Sequence, residues 1–289
     1  MIWNYTKEPI WNIMQPIEVL KEKFNALMDD DLKKYLQEVK NKIQTVSSEI
    51  IFNEKEHRYF YEDKECCPCS YVCEMFEEHQ DFDKVAQRSA SKIGVDWKWL
   101  RNTWKVKSEI ATTSGTFNHQ YAEDFVHFLW EENDKISSLK DFCYINGYWY
   151  PVSPKQVAIY KYFYDMLTEG EIPFAVEIKL IWKEHLITGT FDLLVFSTKY
   201  NCIKIRDYKT NAVLTKDYKK PMFSPFEKFN VEPLSHYTIQ QNIYSIMLQE
   251  IGIENKGKEL VWLKDNESYQ LISLEDIEEL LREAIPNLY

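Results

Sequence analysis

Two aspartates and a lysine are the residues in this chain best placed to do chemistry. Gly189-Thr190-Phe191-Asp192 stands in one apolar run and Arg206-Asp207-Tyr208-Lys209-Thr210 ends the next, with Asp192 and Asp207 15 positions apart. If both runs are strands joined by a short turn, the two carboxylates come to one end of the ribbon. Alternation along a strand puts Asp207 and Lys209 on one face and turns Tyr208 to the other. Hard oxygen donors of this kind suit Mg²⁺ or Mn²⁺, which keep several waters and complete their shell from a phosphate. A metal there would acidify water, and Lys209 beside it can position or deprotonate that water. A short Asp-x-Lys pattern also describes solvent-facing strand charges. Here Leu193 to Phe196 follow Asp192, and Ile203 and Ile205 precede Asp207. The carboxylates therefore border buried strands, where an uncompensated charge is costly.

The elements that must hold these groups are readable from periodicity. Phe174 to Trp182, Leu186 to Phe196 and Cys202 to Tyr208 are β-type runs with short polar breaks and predict an antiparallel meander. Ser114 caps a predicted helix through Trp130, with Phe117, Tyr121, Phe125 and Phe128 on its apolar side and His119 and Glu123 one turn apart. Ser153-Pro154 opens another helix, through Thr168, which Gly170 ends. A polar loop over Lys216 to Ser235 precedes a helix from His236 to Glu250, on which Gln240 and Tyr244 share a face. Strands at Glu259 to Leu263 and Tyr269 to Ile272 and a helix from Glu275 to Ala284 follow. Upstream, Pro16 to Gln44 predicts one or two amphipathic helices, Ile50 to Tyr61 a small hairpin, and Met75 to Trp104 mostly helix.

Four motifs in this order, Gly115-Thr116-Phe117-Asn118-His119 with Glu123, Glu177 followed by Gly189-x-x-Asp192, Asp207-Tyr208-Lys209-Thr210, and Gln240-x-x-x-Tyr244, resemble the PD-(D/E)XK nuclease superfamily in its RecB-like and phage-exonuclease-like branch. The resemblance implies a mixed α/β fold with a restriction-endonuclease-like core, a central mixed sheet flanked by helices, over residues 109–289. An N-terminal, mostly helical elaboration would occupy 1–108. It implies that His119, Asp192, Asp207 and the Tyr208 carbonyl ligate Mg²⁺ or Mn²⁺ and that Lys209 is catalytic. Glu177 and Gln240 would support the metal ligands or orient DNA, with Glu123 and Tyr244 as further supporting groups. The implied reaction is hydrolysis of DNA phosphodiesters, most simply from DNA ends, in phage or bacterial recombination or genome processing, with a recombination or packaging protein as a possible partner. A catalytically silent DNA-binding or assembly module with the same fold, or an endonuclease, are the alternatives. Imidazole suits Mn²⁺ better than Mg²⁺, so His119 favours manganese; His127, two turns on, reads as an ordinary buried histidine.

The bulk composition is globular, with 45% hydrophobic and 28% charged residues among 289. A net charge of −11 excludes a protein that coats nucleic acid by charge alone, but not an enzyme with one basic groove. Lys204, Arg206, Lys216, Lys219 and Lys220 cluster around the third motif and are candidate phosphate contacts. Trp97, Trp99 and Trp104 among Lys98, Arg101, Lys105 and Lys107 form a second candidate surface, with core packing as the ordinary explanation. Four of the six cysteines fall in Cys66 to Cys73 without paired zinc spacing. The iron–sulfur relatives close their cluster with cysteines beyond the glutamine motif, where this chain has none, so no iron–sulfur cluster is expected. Met1 to Tyr5 carries no secretory pattern and no apolar run is long enough for a membrane helix, so a cytoplasmic setting without membrane contact is expected.

Overall fold

The computed structural model describes residues 17–136 except 54 and 57, the short pairs 144–145 and 148–149, and 153–216 and 219–285. The reading of Met1 to Tyr5 lies outside the described residues. In chain order the elements are α1 (Ile17–Leu27), α2 (Asp30–Ser48), β1 (Ile50–Asn53), β2 (Arg58–Tyr61), β3 (Lys64–Pro68), α3 (Cys69–Glu74), α4 (Phe82–Ile93), α5 (Trp97–Leu129), β4 (Tyr144–Ile145), β5 (Tyr148–Trp149), α6 (Pro154–Thr168), β6 (Glu171–Trp182), β7 (Ile187–Ser197), β8 (Cys202–Lys209), α7 (Pro233–Glu250), β9 (Asn255–Leu263), β10 (Tyr269–Ser273) and α8 (Glu278–Ala284). Among the described residues no helix is long and apolar enough to cross a membrane.

The chain is a mixed α/β protein around a central mixed sheet. Its strand order is β1-β2-β3-β7-β8-β9-β10, with β6 paired to β7 from the other side. The predicted meander β6-β7-β8 is antiparallel, and β9 returns parallel to β8. Strand β7 is the pivot. One edge is taken by β6 along almost its whole length; the other is shared, β3 pairing in parallel at Ile187 and Thr188 and β8 antiparallel from Leu193 to Ser197. Between these partners the backbone of Gly189 to Asp192 faces a fork where β3 and β8 diverge.

Three sequence expectations are corrected. The helix expected to open at Ser114 is the second half of α5, which begins at Trp97 with Asp96 as cap, its Oδ1 accepting the Trp99 N–H at 2.8 Å. Ile110, Thr112, Thr113, Gly115 and Thr116 are weak helix formers and disguise this continuity. In the fold Thr113 and Thr116 return their hydroxyls to carbonyls four residues back. A boundary between 108 and 109 therefore falls inside one helix. The upstream segment also joins the main fold: Leu20, Phe24, Leu36 and Ile43 share a core with Phe125, Phe163 and Leu194, and β1 to β3 extend the same sheet. Strand β3 was not legible because its Cys-Cys-Pro lacks a period-two pattern. Helix α7 starts three residues early, with Pro233 in its first turn. The preceding loop is pinned by Phe226, fully buried, its ring edge-on to Phe76 at 4.5 Å.

Candidate metal centre

At the fork in the sheet, His119, Glu177 and Asp192 each offer one donor atom, all within 4.8 Å of one another, the one such group among the described residues. Helix α5 delivers the imidazole: His119 Nδ1 lies 3.3 Å from Asp192 Oδ1, and its ring is edge-on to Tyr208 at 5.9 Å. Asp192 Oδ2 accepts the Tyr208 backbone N–H at 2.7 Å. The β7–β8 ladder ends one pair earlier, at Leu193 and Arg206, so the Asp192 carboxylate takes the place of the next strand partner.

Glu177 comes from β6. It falls between the pairs Val176–Leu193 and Ile178–Phe191 and so stands opposite Asp192. Its φ of 47° is left-handed, whereas the other non-glycine residues with positive φ lie in turns or at helix ends. That conformation costs of order 1–3 kcal/mol for a side-chain-bearing residue and persists where the surroundings impose it. Here it brings a third donor beside His119 and Asp192.

Asp207 behaves differently from expectation. It is buried, and its Oδ2 contacts the Lys209 ammonium, so it adjoins the trio without being one of its members. The like charge of Asp192 and the pull of Lys209 divide the two carboxylates between partners. Lys209 also lies 4.3 Å over the ring of Tyr237, whose hydroxyl donates to Asn211 Oδ1 at 2.9 Å. The sequence reading missed Tyr237, although it lies one helical turn before Gln240 on the same face of α7.

Gln240 is turned toward Tyr244. Its Nε2 donates to the Tyr244 hydroxyl at 2.7 Å, and that hydroxyl donates to the Thr190 carbonyl at 2.9 Å. Thr190 pairs with Lys179 of β6 but has no strand partner on the fork side, and the Tyr244 hydroxyl gives its carbonyl a donor. Gly189 permits this approach, since a Cβ there would sit 2.6 Å from Tyr244 Cε1 and 3.1 Å from Cys69 Cβ. Gly189→Ala is expected to cost about 1–3 kcal/mol through overpacking. Chemical denaturation checks this; a midpoint equal to wild type would refute the close-approach argument.

The remaining site candidates fall apart into separate environments. Glu123 accepts from Gln120 Nε2 at 2.9 Å and pairs with His127 at 3.2 Å. His127 is buried and also reaches Glu132 at 2.9 Å, in keeping with its ordinary structural reading. The structure ties Arg206 and Lys204, both candidate phosphate contacts, into ion pairs. Arg206 is 1% exposed and held by Glu171 at 2.6 Å, Glu259 at 2.7 Å and the Tyr162 hydroxyl at 3.1 Å, and Lys204 pairs with Glu171 at 2.8 Å. Strand alternation turns both inward. Lys220 pairs with Glu78 at 2.8 Å, Lys219 is exposed, and the Lys216 N–H donates to Glu232. Cys69 and Cys73 are buried against α7, their thiols directed at the Gln240 and His236 carbonyls, and burial pushes the Cys73 thiol up to about 12.

The electrostatics of the centre follow from crowding. Burial alone would depress His119, but Asp192 overrides it and holds the imidazole up at about 9. Burial would raise Asp192; the His119 charge, Lys209 and the Tyr208 N–H bring it to about 2. Burial, then Asp192 and Glu123, raise Glu177 above the usual carboxylate range, an elevation moderated because the residue is partly open to water. Burial and Asp192 raise Asp207 to about 6, still ionised at neutral pH beside an ammonium. Burial opposes the Lys209 charge, but Asp207 and Asp192 outweigh it and raise its pKa, so in the metal-free protein Lys209 is a cation rather than a base. The pattern is that of a donor set held together by protons.

A pH dependence follows. Glu177 and His119 both bind protons more tightly folded than unfolded, so the metal-free protein should lose stability as pH rises from about 5 to 9. Glu177→Gln removes one of these protons and should flatten the slope. Thermal melts across that range check it, and a slope unchanged in the variant would refute it.

No known family profile matches the chain, and no curated protein is similar to it.

Proposed function

We propose that this chain is a divalent-metal-dependent nuclease that hydrolyses DNA phosphodiesters, acting from DNA ends, on a restriction-endonuclease-like PD-(D/E)XK core. The observation that carries the reading is the convergence of His119, Glu177 and Asp192 from a helix and two strands, with the Asp207–Lys209 pair against them. Like charges, a half-buried imidazole and a left-handed glutamate in one place are unfavourable for folding, and a cation is what would compensate them. The donor set fits: imidazole and carboxylate oxygens suit Mn²⁺, and also Mg²⁺ with waters in the remaining positions.

His119, Asp192 and Glu177 would hold the ion, with Asp207 and the Tyr208 carbonyl close enough in sequence to join once Lys209 releases the carboxylate. Bound there, the ion would polarise a phosphate and acidify a water. Lys209, a cation in the free protein, would stabilise charge developing on the phosphate oxygens and orient the attacking water. Gln240 and Tyr244 would act indirectly, by fixing β7 at the fork. A setting in phage or bacterial recombination or genome processing, with a recombination or packaging protein as partner, belongs to the same reading.

The test is incubation of end-labelled linear DNA and closed circular DNA with Mg²⁺, Mn²⁺ or EDTA, comparing wild type with Lys209→Ala. Metal-dependent loss of linear DNA only, abolished in the variant, is the expected result. Cutting of the circle would make the protein an endonuclease. No cleavage with either metal, while DNA is still bound, would replace the nuclease reading by a silent DNA-binding module.

A further inference from the structure

Helix α4 packs along the first half of α5, and together they form an arm outside the sheet. Leu100 is buried between them, and Arg101 ties the pair by its ion pair to Asp83 at 3.1 Å and its place over the Phe82 ring at 5.3 Å. From Lys105 to Ser114 every residue is exposed. Residues 82–114 hold seven Lys and Arg against three Asp and Glu, a net charge of +4 in a chain of −11. The rest of the chain therefore carries −15.

The basic and hydroxyl groups of the arm have a register. Arg101, Lys105, Ser108, Thr112, Gly115 and His119 advance by alternating steps of four and three, which keeps them on one face of a helix. Along that face lie a guanidinium, an ammonium and two hydroxyls, and it ends on the imidazole of the metal centre. Two acids flank it, Asp83 at 3.1 Å from Arg101 and Glu109 at 3.9 Å from Lys105. Because α5 is one continuous helix, the run from Arg101 to His119 is a rigid ruler of about 27 Å. Its last turn abuts the chain just after Lys209, since a Cβ on Gly115 would lie 3.5 Å from Thr210 Oγ1.

We propose that this face of α5 is the docking track for the phosphate backbone of the DNA strand delivered to the His119 site. The proposal rests on the nuclease reading and extends it by saying where the substrate lies. Charge complementarity carries it: a polyanion meeting a protein this acidic is attracted to an exposed cationic element joined to the site. The track explains why the arm is helical and exposed instead of folded onto the core. Its cations are reachable from solvent, with Lys105 exposed and Arg101 half-exposed, whereas Arg206 is buried.

The experiment measures binding of a fluorescein-labelled DNA oligonucleotide in EDTA across a salt series, for wild type, Arg101→Ala/Lys105→Ala and Lys105→Ala alone. Loss of two phosphate contacts should weaken binding about tenfold or more at low salt and make the slope of log affinity against log salt shallower by about two, with half that slope change for the single variant. Mn²⁺ binding, read by paramagnetic resonance, should be unchanged in both. Lys105 is exposed, so the single variant decides the matter if the double one folds poorly. Wild-type binding with unaltered affinity and slope in the variants overturns the track and leaves the nuclease reading to its cleavage assay. Failure of the wild type to bind DNA overturns both.

Discussion

Asp192→Asn is expected to lower the proposed metal-dependent DNA cleavage by at least about a thousandfold while leaving the fold intact. Asp192 is the one residue that joins every part of the centre: its Oδ1 faces His119, its Oδ2 takes the Tyr208 N–H, and Glu177 stands opposite it across the strands. An amide can still accept the Tyr208 N–H through its oxygen, so the strand geometry survives. What it loses is the negative charge that would hold a cation, a contribution of several kcal/mol to transition-state stabilisation, each 1.36 kcal/mol being tenfold in rate. The same change removes the charge that holds His119 protonated, so the imidazole should titrate lower in the variant. Gel-based cleavage and histidine titration by proton resonance check the two halves. Cleavage within tenfold of wild type would remove Asp192 from the mechanism.

Arg206→Met is expected to destabilise the protein by about 3–5 kcal/mol, because removing one partner of a buried ion pair leaves the others charged and without compensation. Glu171 and Glu259 converge on this guanidinium, and both are themselves largely buried. Lys204 keeps a contact with Glu171 at 2.8 Å and a longer one with Glu259 at 3.7 Å, which will soften the loss without abolishing it. The expected fall in melting temperature is of order 10 °C. The residue adjoins Asp207 in sequence, yet the effect should fall on stability and not on the proposed DNA binding. A variant with wild-type stability and weakened DNA binding would restore the surface role that its sequence neighbourhood suggested.

Much of the framework was legible because periodicity is local. The alternation of apolar residues in Phe174 to Phe196 and Cys202 to Tyr208 dictates strands joined by short turns, and the meander follows. Ser153-Pro154 and Gly170 bound α6 as written, since a capping hydroxyl, a proline in the first turn and a left-handed glycine each act within a few residues. Helix α5 was half hidden because its β-branched and glycine-bearing middle weakens the local signal, while packing around it carries the helix through.

The chemical types available, two aspartates, a lysine, a histidine and a glutamate in an order that can serve a cation, are written in the chain, as are most of the strands and helices that bear them. Which of these groups meet was decided only in the tertiary structure. Asp207 turns to Lys209 and Glu177 joins His119 and Asp192. Gln240 serves Tyr244, and Arg206 faces the interior. The physical reason is range. A strand's alternation is set by its own residues, but the place of a carboxylate depends on a left-handed residue in β6, a register with β7 and a fork between β3 and β8, contributions from segments far apart in the chain that meet only when the sheet closes.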